Sequence, residues 1–171
     1  MALTFIQKME ASIRKAKKSD AAVILSLIRE LAVFERAPHA VIIDMDQLEK
    51  DGFGPHPLFG CFVAEVDQKV VGMALFYPRY STWKGPTLHL EDLIVTEKMK
   101  GKGIGTRLYQ AFLTHAHRIG VERVEWAVLD WNAPAIRFYQ KSGATVLEDW
   151  RTVQMDKKSI NDYISKINLQ E

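Results

Sequence analysis

Hydrophobic positions in the first third of the chain follow helical and extended patterns that predict three elements. Residues 1–11 are interpreted as an extension, and Ser12 to Ala16 as the first strand. A helix that Ser19 or Asp20 can cap is predicted by apolar residues spaced three and four apart, which are Val23, Ile24, Leu27, Ile28, Leu31 and Phe34. A second, short helix can start at Asp44 and end before Gly52.

The middle of the chain predicts a hairpin followed by a further strand. Residues 60–66 and 69–77 are rich in β-branched and aromatic residues, and Asp67-Gln68 between them is typical of a tight turn. Pro78 and Gly85-Pro86 then indicate a loop, which leads to a strand over 87–95.

The last third alternates predicted helices and strands. A helix runs from Thr106 to Ile119 and is stopped by Gly120, and a strand follows from Val121 to Leu129. A helix over 133–142, a strand pair at 144–155 and an amphipathic helix at 157–167 complete the pattern. The order predicts a mixed α/β (α+β) fold whose sheet is antiparallel early and has a parallel crossover before the fifth strand.

Composition narrows the class of protein. With 171 residues, 47% hydrophobic and 26% charged, the chain suits one globular domain. A net charge of +2 is too small to indicate nucleic acid, and no apolar run is long enough to span a bilayer. Cys61 stands alone in an apolar run, so we expect a buried, inert thiol. Without a signal peptide pattern, a cytoplasmic protein is expected.

The most informative stretch is Lys100-Gly-Lys-Gly-Ile-Gly-Thr106, the glycine loop, which lies between a predicted strand and a predicted helix. Three glycines at alternate positions let several N–H groups face one anion, toward which the helix dipole also points. The stretch is neither a P-loop nor a dinucleotide fingerprint of G-x-G-x-x-G form. It predicts a site for phosphate oxygens, and an ordinary glycine-rich turn is the alternative.

The element order with this loop after the fourth strand resembles the GNAT N-acetyltransferase superfamily, which carries Arg/Gln-x-x-Gly-x-Gly/Ala here. Gly103 and Gly105 match, whereas Lys100 departs from Arg or Gln. Further matches in the right order are Leu88-His-Leu-Glu-Asp-Leu-Ile-Val95, Leu129-Asp-Trp-Asn132 and Phe138-Tyr-Gln-Lys-Ser-Gly-Ala144. The resemblance implies a mixed central sheet with helices on both faces.

A narrower resemblance is to the spermidine/spermine N1-acetyltransferase (diamine acetyltransferase) branch. It rests on Ile28-Arg-Glu-Leu-Ala32, Lys50-Asp-Gly-Phe-Gly54, His56-Pro57, Tyr80-Ser-Thr-Trp-Lys-Gly85 and Trp150-Arg151. It implies a domain over 12–156, flanked by the extension 1–11 and the C-terminal helix and tail 157–171. It also implies a homodimer that acts on a small-molecule amine, while the charge and hydropathy described above predict neither nucleic acid nor membrane as partner.

The resemblance implies that acetyl-CoA is the cosubstrate and that no metal takes part. Backbone amides of the glycine loop would hold the pyrophosphate, and the strand backbone before the loop would lie beside the pantetheine arm. The implied cofactor-binding residues are Leu93, Ile94, Val95, Lys100, Gly101, Lys102, Gly103, Ile104, Gly105, Thr106, Asn132 and Ala135. For Asn132, capping of the following helix is an alternative that can hold at the same time.

The resemblance makes Tyr139 the candidate general acid. A phenol with an unperturbed pKa of about 10 stays protonated at neutral pH and can give its proton to a departing thiolate. Tyr139 lies seven residues after Asn132, as in the family. An aromatic packed beside Phe138 is the alternative.

Two adjacent carboxylates, Glu91 and Asp92, interrupt an apolar strand. Because neighbouring strand residues point to opposite faces, we expect the two to have different roles. By resemblance, Glu91 faces the amine, binding its ammonium or accepting its proton through water. A solvated strand end or a salt bridge is the alternative, more strongly for Asp92.

Further residues match the substrate groove of the diamine branch, and they are Phe34, Glu35, Trp83 and Trp150, together with Glu91 and Asp92. Carboxylates and aromatic faces suit a cationic amine. A solvated Glu35 and a core Trp150 are the alternatives.

Other chemistries find little support in the sequence. The five histidines and one cysteine show no metal-binding pattern, and His89 is expected to have a structural or solvent role. Nothing indicates an activated Cys61 thiolate for a ping-pong route, so direct attack in a ternary complex is expected. Acetylation of protein N-termini or lysines, and non-catalytic binding of acyl-CoA, are the competing functions.

Overall fold

Five strands form one mixed sheet in the part of the chain that the structure, a computed structural model, describes, residues 11–168. The strands follow one another across the sheet in chain order. The first four pair antiparallel and the last pair is parallel. The strands are β1 (Ser12–Lys15), β2 (Gly60–Val66), β3 (Lys69–Ser81), β4 (Gly85–Val95) and β5 (Val124–Glu125).

Helices connect or follow these strands in the predicted order. They are α1 (Ala21–Phe34), α2 (Met45–Phe53), α3 (Ile104–Ile119), α4 (Ala133–Lys141) and α5 (Lys157–Asn168). Short 3-10 turns precede α1 (Lys18–Asp20) and follow β4 (Glu97–Met99). The parallel crossover β4–α3–β5 confirms the prediction made from the position of the glycine loop. No helix between residues 11 and 168 combines the length and hydropathy that crossing a membrane requires.

Alternate residues of β3 pack on opposite faces of the sheet. Met73 and Leu75 join a buried cluster with apolar residues of α1 and α2. On the other face the ring of Phe76 packs at 5.4 Å from that of Phe112 of α3, which is fully buried. Helices therefore cover both faces, as the family resemblance implies.

The β2–β3 hairpin is confirmed, and β3 is longer than predicted. Asp67 and Gln68 have φ of 48° and 62°, as the two central residues of a type I′ turn require. The predicted loop at Pro78 was wrong, because β3 continues to Ser81 and pairs with β4 from Gly85 onward. Pairing of β3 with β2 ends at Phe76, so Pro78 lies where β3 is an edge and a missing N–H is tolerated.

The caps of the first two helices differ in kind. Asp44 accepts a hydrogen bond from the amide of Gln47 at 2.8 Å and caps α2, as predicted. Asp20 occupies the N-cap of α1, but its carboxylate binds the Arg14 guanidinium at 2.7 Å instead of an amide of α1. This ion pair holds the pKa of Asp20 below its usual value and ties the start of α1 to β1.

Helix α2 runs through Gly52 to Phe53, beyond its predicted end. A Cβ at Gly52 would lie 2.2 Å from the Phe59 ring, so glycine serves here to let that ring pack against the helix.

The chain divides into two compact units, Met1–Ala127 and Val128–Glu171. Within the second unit, α4 begins at the Asn132 cap, and Gly143 follows the helix with φ of 94°.

Two predicted strand regions were wrong. The strand expected over 121–129 contracts to Val124–Glu125, and residues 144–156 form no strand. The apolar side chains of Leu147, Trp150 and Val153 are 63%, 69% and 90% exposed. Residues with β propensity form a strand only where a neighbouring strand pairs with them, and this segment has none among the described residues. The domain boundaries 12–156 stay a prediction.

Candidate active site

The glycine loop has the backbone geometry of an anion cradle. Gly101 and Gly103 have φ of 75° and 76°, a region that residues with a Cβ rarely adopt. A Cβ at either glycine would meet no atom within 4 Å, so the backbone conformation, and not crowding, requires glycine there. Gly103 is the N-cap of α3 and provides no side-chain cap. The first amides of α3, from Ile104 to Thr106, are therefore placed to bind an anion at the positive end of the helix dipole.

The conformational reason for glycine at Gly101 and Gly103 does not apply to Gly105. Its φ is not positive, and a Cβ would lie at an ordinary 3.8 Å from Cγ2 of Val95. The fold itself would accept a side chain at this position. The fold gives no other reason for glycine at position 105, and the prediction that Gly105 makes room for a phosphate stays a prediction.

Lys100 is engaged by neighbouring groups at the start of the loop. Its Nζ lies 2.6 Å from Oε2 of Glu97 and 4.9 Å from the ring centroid of Phe34, at the end of α1. Glu30 of α1 accepts hydrogen bonds from the Thr96 hydroxyl and the Glu97 amide, at 3.1 and 2.9 Å. The loop entrance is thus fastened to α1. Lys102 Nζ lies 3.5 Å from Sδ of Met99.

The end of β4 leaves one backbone edge without a strand. Leu93, Ile94 and Val95 pair with β3, but β5 pairs with β4 only at Leu88 and His89. From Leu90 to Val95, no strand of the described chain lies on the β5 side. An extended ligand can therefore approach the backbone of these residues from that side.

A β-bulge at Glu91 changes which way the two strand carboxylates point. Leu75 of β3 pairs with Asp92 and Phe76 pairs with Leu90, so Glu91 is the extra residue of β4. Asp92 lies opposite Leu75, on the face that α1 covers, and Glu91 hydrogen-bonds Tyr77, two residues further along that face of β3. The expectation that Glu91 and Asp92 point to opposite faces was wrong, because the bulge interrupts the strict alternation of the strand.

Glu35, Glu91 and Asp92 form a group of three carboxylates, here called the acidic cluster. Burial, reinforced by the charges of Glu91 and Glu35, raises the pKa of Asp92 to about 7. Burial and the charge of Glu91 also raise the pKa of Glu35, the residue that follows α1. Burial is the first cause of both shifts and the neighbouring negative charges add to it, so a bound cation would stabilise the ionised forms of Glu35 and Asp92.

Tyr77 and His89 flank Glu91, and sequence reasoning did not assign either of them to the site. The Tyr77 hydroxyl donates a hydrogen bond to Glu91, and the pKa of Tyr77 is raised by burial and by the charge of that carboxylate. The rings of Tyr77 and His89 stack at 5.1 Å, and Nε2 of His89 lies 3.6 Å from Oε2 of Glu91. The two-residue period of β4 was a signal that His89 and Glu91 share a face.

Cys61 is buried and belongs to the same apolar cluster as Leu75. Burial raises the pKa of its thiol to about 12, and the charge of Asp92 acts in the same direction. The thiol is therefore protonated at neutral pH, which supports the expectation that it is inert.

The remaining predicted aromatic residue of the first unit, Trp83, lies at the tip of the β3–β4 hairpin and is 79% exposed. The seven residues of strand from Gly85 to Glu91, which are six steps of about 3.3 Å, span roughly 20 Å. The structure therefore does not bring Trp83 next to the acidic cluster of its own chain, whereas it does bring Phe34 and Glu35 to the same helix end.

Four predicted residues lie in the second unit. Asn132 caps α4, since its side-chain oxygen accepts a hydrogen bond from the Ala135 amide at 3.3 Å. Tyr139 is 9% exposed, and its ring contacts that of Phe138 at a centroid distance of 5.3 Å. Trp150 is largely exposed, which excludes the alternative that it is a core residue. The catalytic role of Tyr139 stays a prediction.

Residues 11–168 contain no group of three His, Cys, Asp or Glu side chains arranged to hold a metal ion. The groups that the described residues bring to the site are carboxylates, a phenol, an imidazole and oriented backbone amides.

Comparison with known proteins gave consistent matches. The model of the acetyltransferase (GNAT) family matches residues 23–144. Thialysine N-epsilon-acetyltransferase of Mus musculus is 38% identical over 161 residues, which cover 88% of this chain and 95% of the relative. The enzyme of that name from Caenorhabditis elegans is 37% identical over 143 residues, covering 82% of this chain and 88% of the relative.

Solved structures show the same fold at low sequence identity. An integron cassette protein from the mobile metagenome of V. cholerae superposes with a TM-score of 0.74 at 22% identity, covering 91% of this chain and 98% of that chain. Aminoglycoside N-acetyltransferase AAC(6')-Iy, solved in complex with CoA, superposes with a TM-score of 0.67 at 18% identity, covering 86% and 95%.

Proposed function

The chain belongs to the GNAT family of acetyltransferases, and on that premise we propose that it acetylates a primary amine of a small polyamine or lysine-like diamine. The acetyl group comes from acetyl-CoA, and the amine attacks directly in a ternary complex. The observation that carries the choice of acceptor is the acidic cluster, which gathers three carboxylates at the β4 bulge.

The donor site that we propose uses backbone more than side chains. The amides from Gly101 to Thr106 hold the pyrophosphate, and the backbone of Leu93, Ile94 and Val95 lies beside the pantetheine arm. Open space at Gly101 and Gly103 and the uncapped start of α3 support this assignment. Lys100 and Lys102 add positive charge, and Asn132 and Ala135 contact the CoA arm from the start of α4.

The acceptor site that we propose is the acidic cluster with the aromatic residue at the end of α1. A diamine carries ammonium groups, and each one that enters the cluster relieves the repulsion among its carboxylates. Phe34 offers a ring face to such a cation. The relatives that are named for action on thialysine, a lysine-like diamine, support the same class of acceptor. Trp83 and Trp150 are proposed to line the groove further out.

The reaction requires the ammonium to lose two protons in all and the departing thiolate to gain one. Glu91 accepts a proton from the ammonium, directly or through water, because only the neutral amine has a lone pair for attack. The amine nitrogen then bonds to the thioester carbon, the C–S bond breaks, and Tyr139 gives its phenolic proton to the departing thiolate. The acylated nitrogen loses its remaining extra proton to solvent, and a solvent proton restores the Tyr139 phenol. The products are an N-acetylated amine and CoA.

We further propose a cytoplasmic homodimer whose acetyltransferase domain covers residues 12–156. Support for dimerisation comes from exposed apolar side chains of the second unit, among them Leu147, Trp150, Val153 and Met155. Light scattering coupled to size-exclusion chromatography measures the mass in solution, and a monomer at micromolar concentration would contradict this part.

A substrate panel tests the proposed function. We expect purified protein with acetyl-CoA to release free thiol in the presence of thialysine, spermidine or putrescine, and to release far less with an N-terminal peptide or a lysine-containing peptide. Glu91→Gln should abolish most turnover, while Glu122→Gln, an exposed carboxylate elsewhere, should not. CoA binding without turnover of any amine would indicate a non-catalytic module, and preference for a peptide would indicate a protein acetyltransferase.

A further inference from the structure

His89 occupies a place on β4 that links its ring to Glu91. The two residues are separated by Leu90, and their side chains share the face of the sheet on which Tyr77 lies. Nε2 of His89 is 3.6 Å from Oε2 of Glu91, just beyond hydrogen-bond distance. A small rotation of either side chain would complete the bond.

The surroundings of the two ring nitrogens decide where the imidazole proton lies. Nδ1 of His89 is buried and has no hydrogen-bond partner among the described residues. Nδ1 is unpaired in either tautomer, so the choice depends on Nε2: a proton there gives the Glu91 carboxylate a donor, whereas a proton on Nδ1 would leave a lone pair of Nε2 facing that negative oxygen. In the neutral imidazole the proton therefore lies on Nε2, directed at the Glu91 carboxylate.

The ring of His89 is held in this orientation by its neighbours on two strands. It stacks on Tyr77 with an interplanar angle of 28°. Its backbone pairs with Glu125 of β5, whose carboxylate binds Arg79 and, at 2.8 Å, Nε of Arg123. Because the ring is packed and the β5 carboxylate is already engaged by two guanidinium groups, Glu91 is the acceptor within reach of Nε2.

We propose that His89 is a positioning residue for Glu91, donating from Nε2 and holding the carboxylate together with the Tyr77 hydroxyl. The side chain of Glu91 is 51% exposed, so without such donors it would sample several rotamers. Two fixed hydrogen-bond donors to the carboxylate oxygens of Glu91 keep this group directed at the incoming ammonium. This inference rests on the proposed function, in which Glu91 is the group that receives the amine proton.

A role for His89 as the base itself is less favourable on the same geometry. An imidazolium carries protons on both nitrogens, so accepting the substrate proton would bury an unpaired Nδ1–H. The proton therefore stays with Glu91, which reaches solvent.

Kinetics of two substitutions test the positioning role. Glutamine places an amide nitrogen near the position of Nε2, so His89→Gln should keep kcat/KM for the diamine within about three-fold. Phenylalanine preserves the stack on Tyr77 but has no donor, so His89→Phe should lower kcat/KM about ten-fold. In a Glu91→Gln background, His89→Phe should change the residual rate by less than about two-fold, because the group it positions is already gone. Equal losses in both backgrounds would overturn the proposal.

The pH dependence of activity also tests the positioning role. If His89 acted only through packing, its replacement would not shift this dependence. Loss of a donor disfavours the ionised carboxylate, so the acidic limb of the activity profile should move to higher pH in His89→Phe and not in His89→Gln. An unmoved profile contradicts the proposal. The other titratable groups that interact with Glu91 are present in both variants, and they are Tyr77 of β3, Asp92 of β4 and Glu35 after α1; Arg79 of β3 and Glu125 of β5, which act on Tyr77, are also unchanged.

Nuclear magnetic resonance separates this inference from the proposed function. The ¹⁵N shifts of the His89 imidazole in the ligand-free protein report which nitrogen carries the proton, without any turnover. We expect protonated Nε2 in the wild type and a changed Nε2 shift in Glu91→Gln. Protonated Nδ1, or no response to Glu91→Gln, would overturn the inference. If no amine is acetylated but the spectra show a proton on Nε2 that responds to Glu91→Gln, the proposed function is wrong and the contact between His89 and Glu91 is still supported.

Discussion

The glycine loop and the acidic cluster lie in the same unit and are built in opposite ways. The loop is one continuous stretch from Lys100 to Thr106, and its conformation depends on the positive φ of Gly101 and Gly103. The acidic cluster joins residues far apart in sequence, with Glu35 after α1 and the other two carboxylates at a bulge of β4. The first offers oriented N–H groups to an anion, and the second offers charge to a cation.

This difference determines how each region responds to change. In the proposed donor site, binding to the loop depends on backbone amides, so only a substitution that alters the backbone or fills its space should matter. The cluster depends on side-chain charge in a partly buried place, so conservative loss of one carboxylate should matter. Lys100, the first residue of the loop, reaches toward the end of α1, because its ammonium contacts Glu97 and the ring of Phe34, the neighbour of Glu35.

The largest effect should come from a residue outside both regions. Tyr139→Phe removes the phenol proposed to protonate the thiolate, and we expect kcat to fall by about 10²-fold or more. The Kd of CoA and the binding of the diamine should change little, because the substitution leaves the residues of both proposed binding regions unchanged. Stopped-flow or steady-state release of free thiol measures kcat, and calorimetry measures both affinities.

Tyr109→Phe is a matched control, since Tyr109 is also buried but lies on α3. Near-wild-type turnover of Tyr139→Phe across the pH range would reject the assignment. A loss of CoA affinity as large as the loss of turnover would mean that Tyr139 belongs to the donor site.

The next effect tests the loop. Gly105→Asp places a carboxylate where a phosphate is proposed to bind, so CoA affinity should fall by about 30- to 100-fold, as calorimetry would show.

Gly105→Ala is a finer control for the same position. Alanine in the first turn of α3 should stabilise the ligand-free protein by about 0.5–1 kcal/mol, because the backbone there already suits it. The same variant should bind CoA several-fold more weakly. Stabilisation without weaker binding would show that no phosphate approaches Gly105.

The loop was predictable from sequence because its determinants are local. Glycines at alternate positions between a strand and a helix specify the turn, and the structure places Gly103 at the N-cap of α3. The hairpin at Asp67-Gln68 and the Asp44 cap were predictable for the same reason.

The acidic cluster was only partly predictable. The position of a β-bulge depends on how the strand pairs with its neighbour, and the local sequence does not reveal it reliably. Strict alternation placed Glu91 and Asp92 on opposite faces, whereas the extra residue puts both where α1 ends. The strands expected over 144–155 failed for a related reason. Strand propensity is expressed only when another strand pairs with the segment.

The third effect tests the cluster through protein stability. The pKa of Asp92 is raised to about 7 in the folded protein, above the unfolded value near 4. Folding therefore favours the protonated form. The stability associated with this group is complete below about pH 4 and is lost as the pH rises to about 7. We expect Asp92→Asn to be more stable than the wild type by about 1–3 kcal/mol at pH 8 and nearly equal at pH 4.

Urea unfolding at several pH values measures this difference, with Asp130→Asn in the second unit as the control. The same Asp92→Asn variant should raise the KM for the diamine several-fold without altering the Kd of CoA. If the free energy of unfolding depended on pH in the same way in wild type and variant, Asp92 would not be destabilised by burial and by neighbouring negative charge. The comparison of the two regions would then lose its support from the acidic cluster.

The smallest effect concerns Lys100, the first residue of the glycine loop. In the ligand-free protein its ammonium is already bound by Glu97 and covered by the Phe34 ring, so reaching a phosphate requires leaving both. We therefore expect Lys100→Gln to weaken CoA binding by less than about five-fold, and Lys98→Gln, an exposed lysine of the preceding turn, to have a comparable or smaller effect. Calorimetry at low and moderate salt measures both.

A loss of 30-fold or more in Lys100→Gln, with steep salt dependence, would break the comparison from which these predictions start. It would mean that a side-chain cation, and not the amide cradle, supplies most of the donor affinity. A small loss accompanied by a lower KM for the diamine would sharpen it instead. Because Phe34 adjoins Glu35, the ammonium of Lys100 would then be acting as a competitor for the acidic cluster, and the two regions would be coupled through that one side chain.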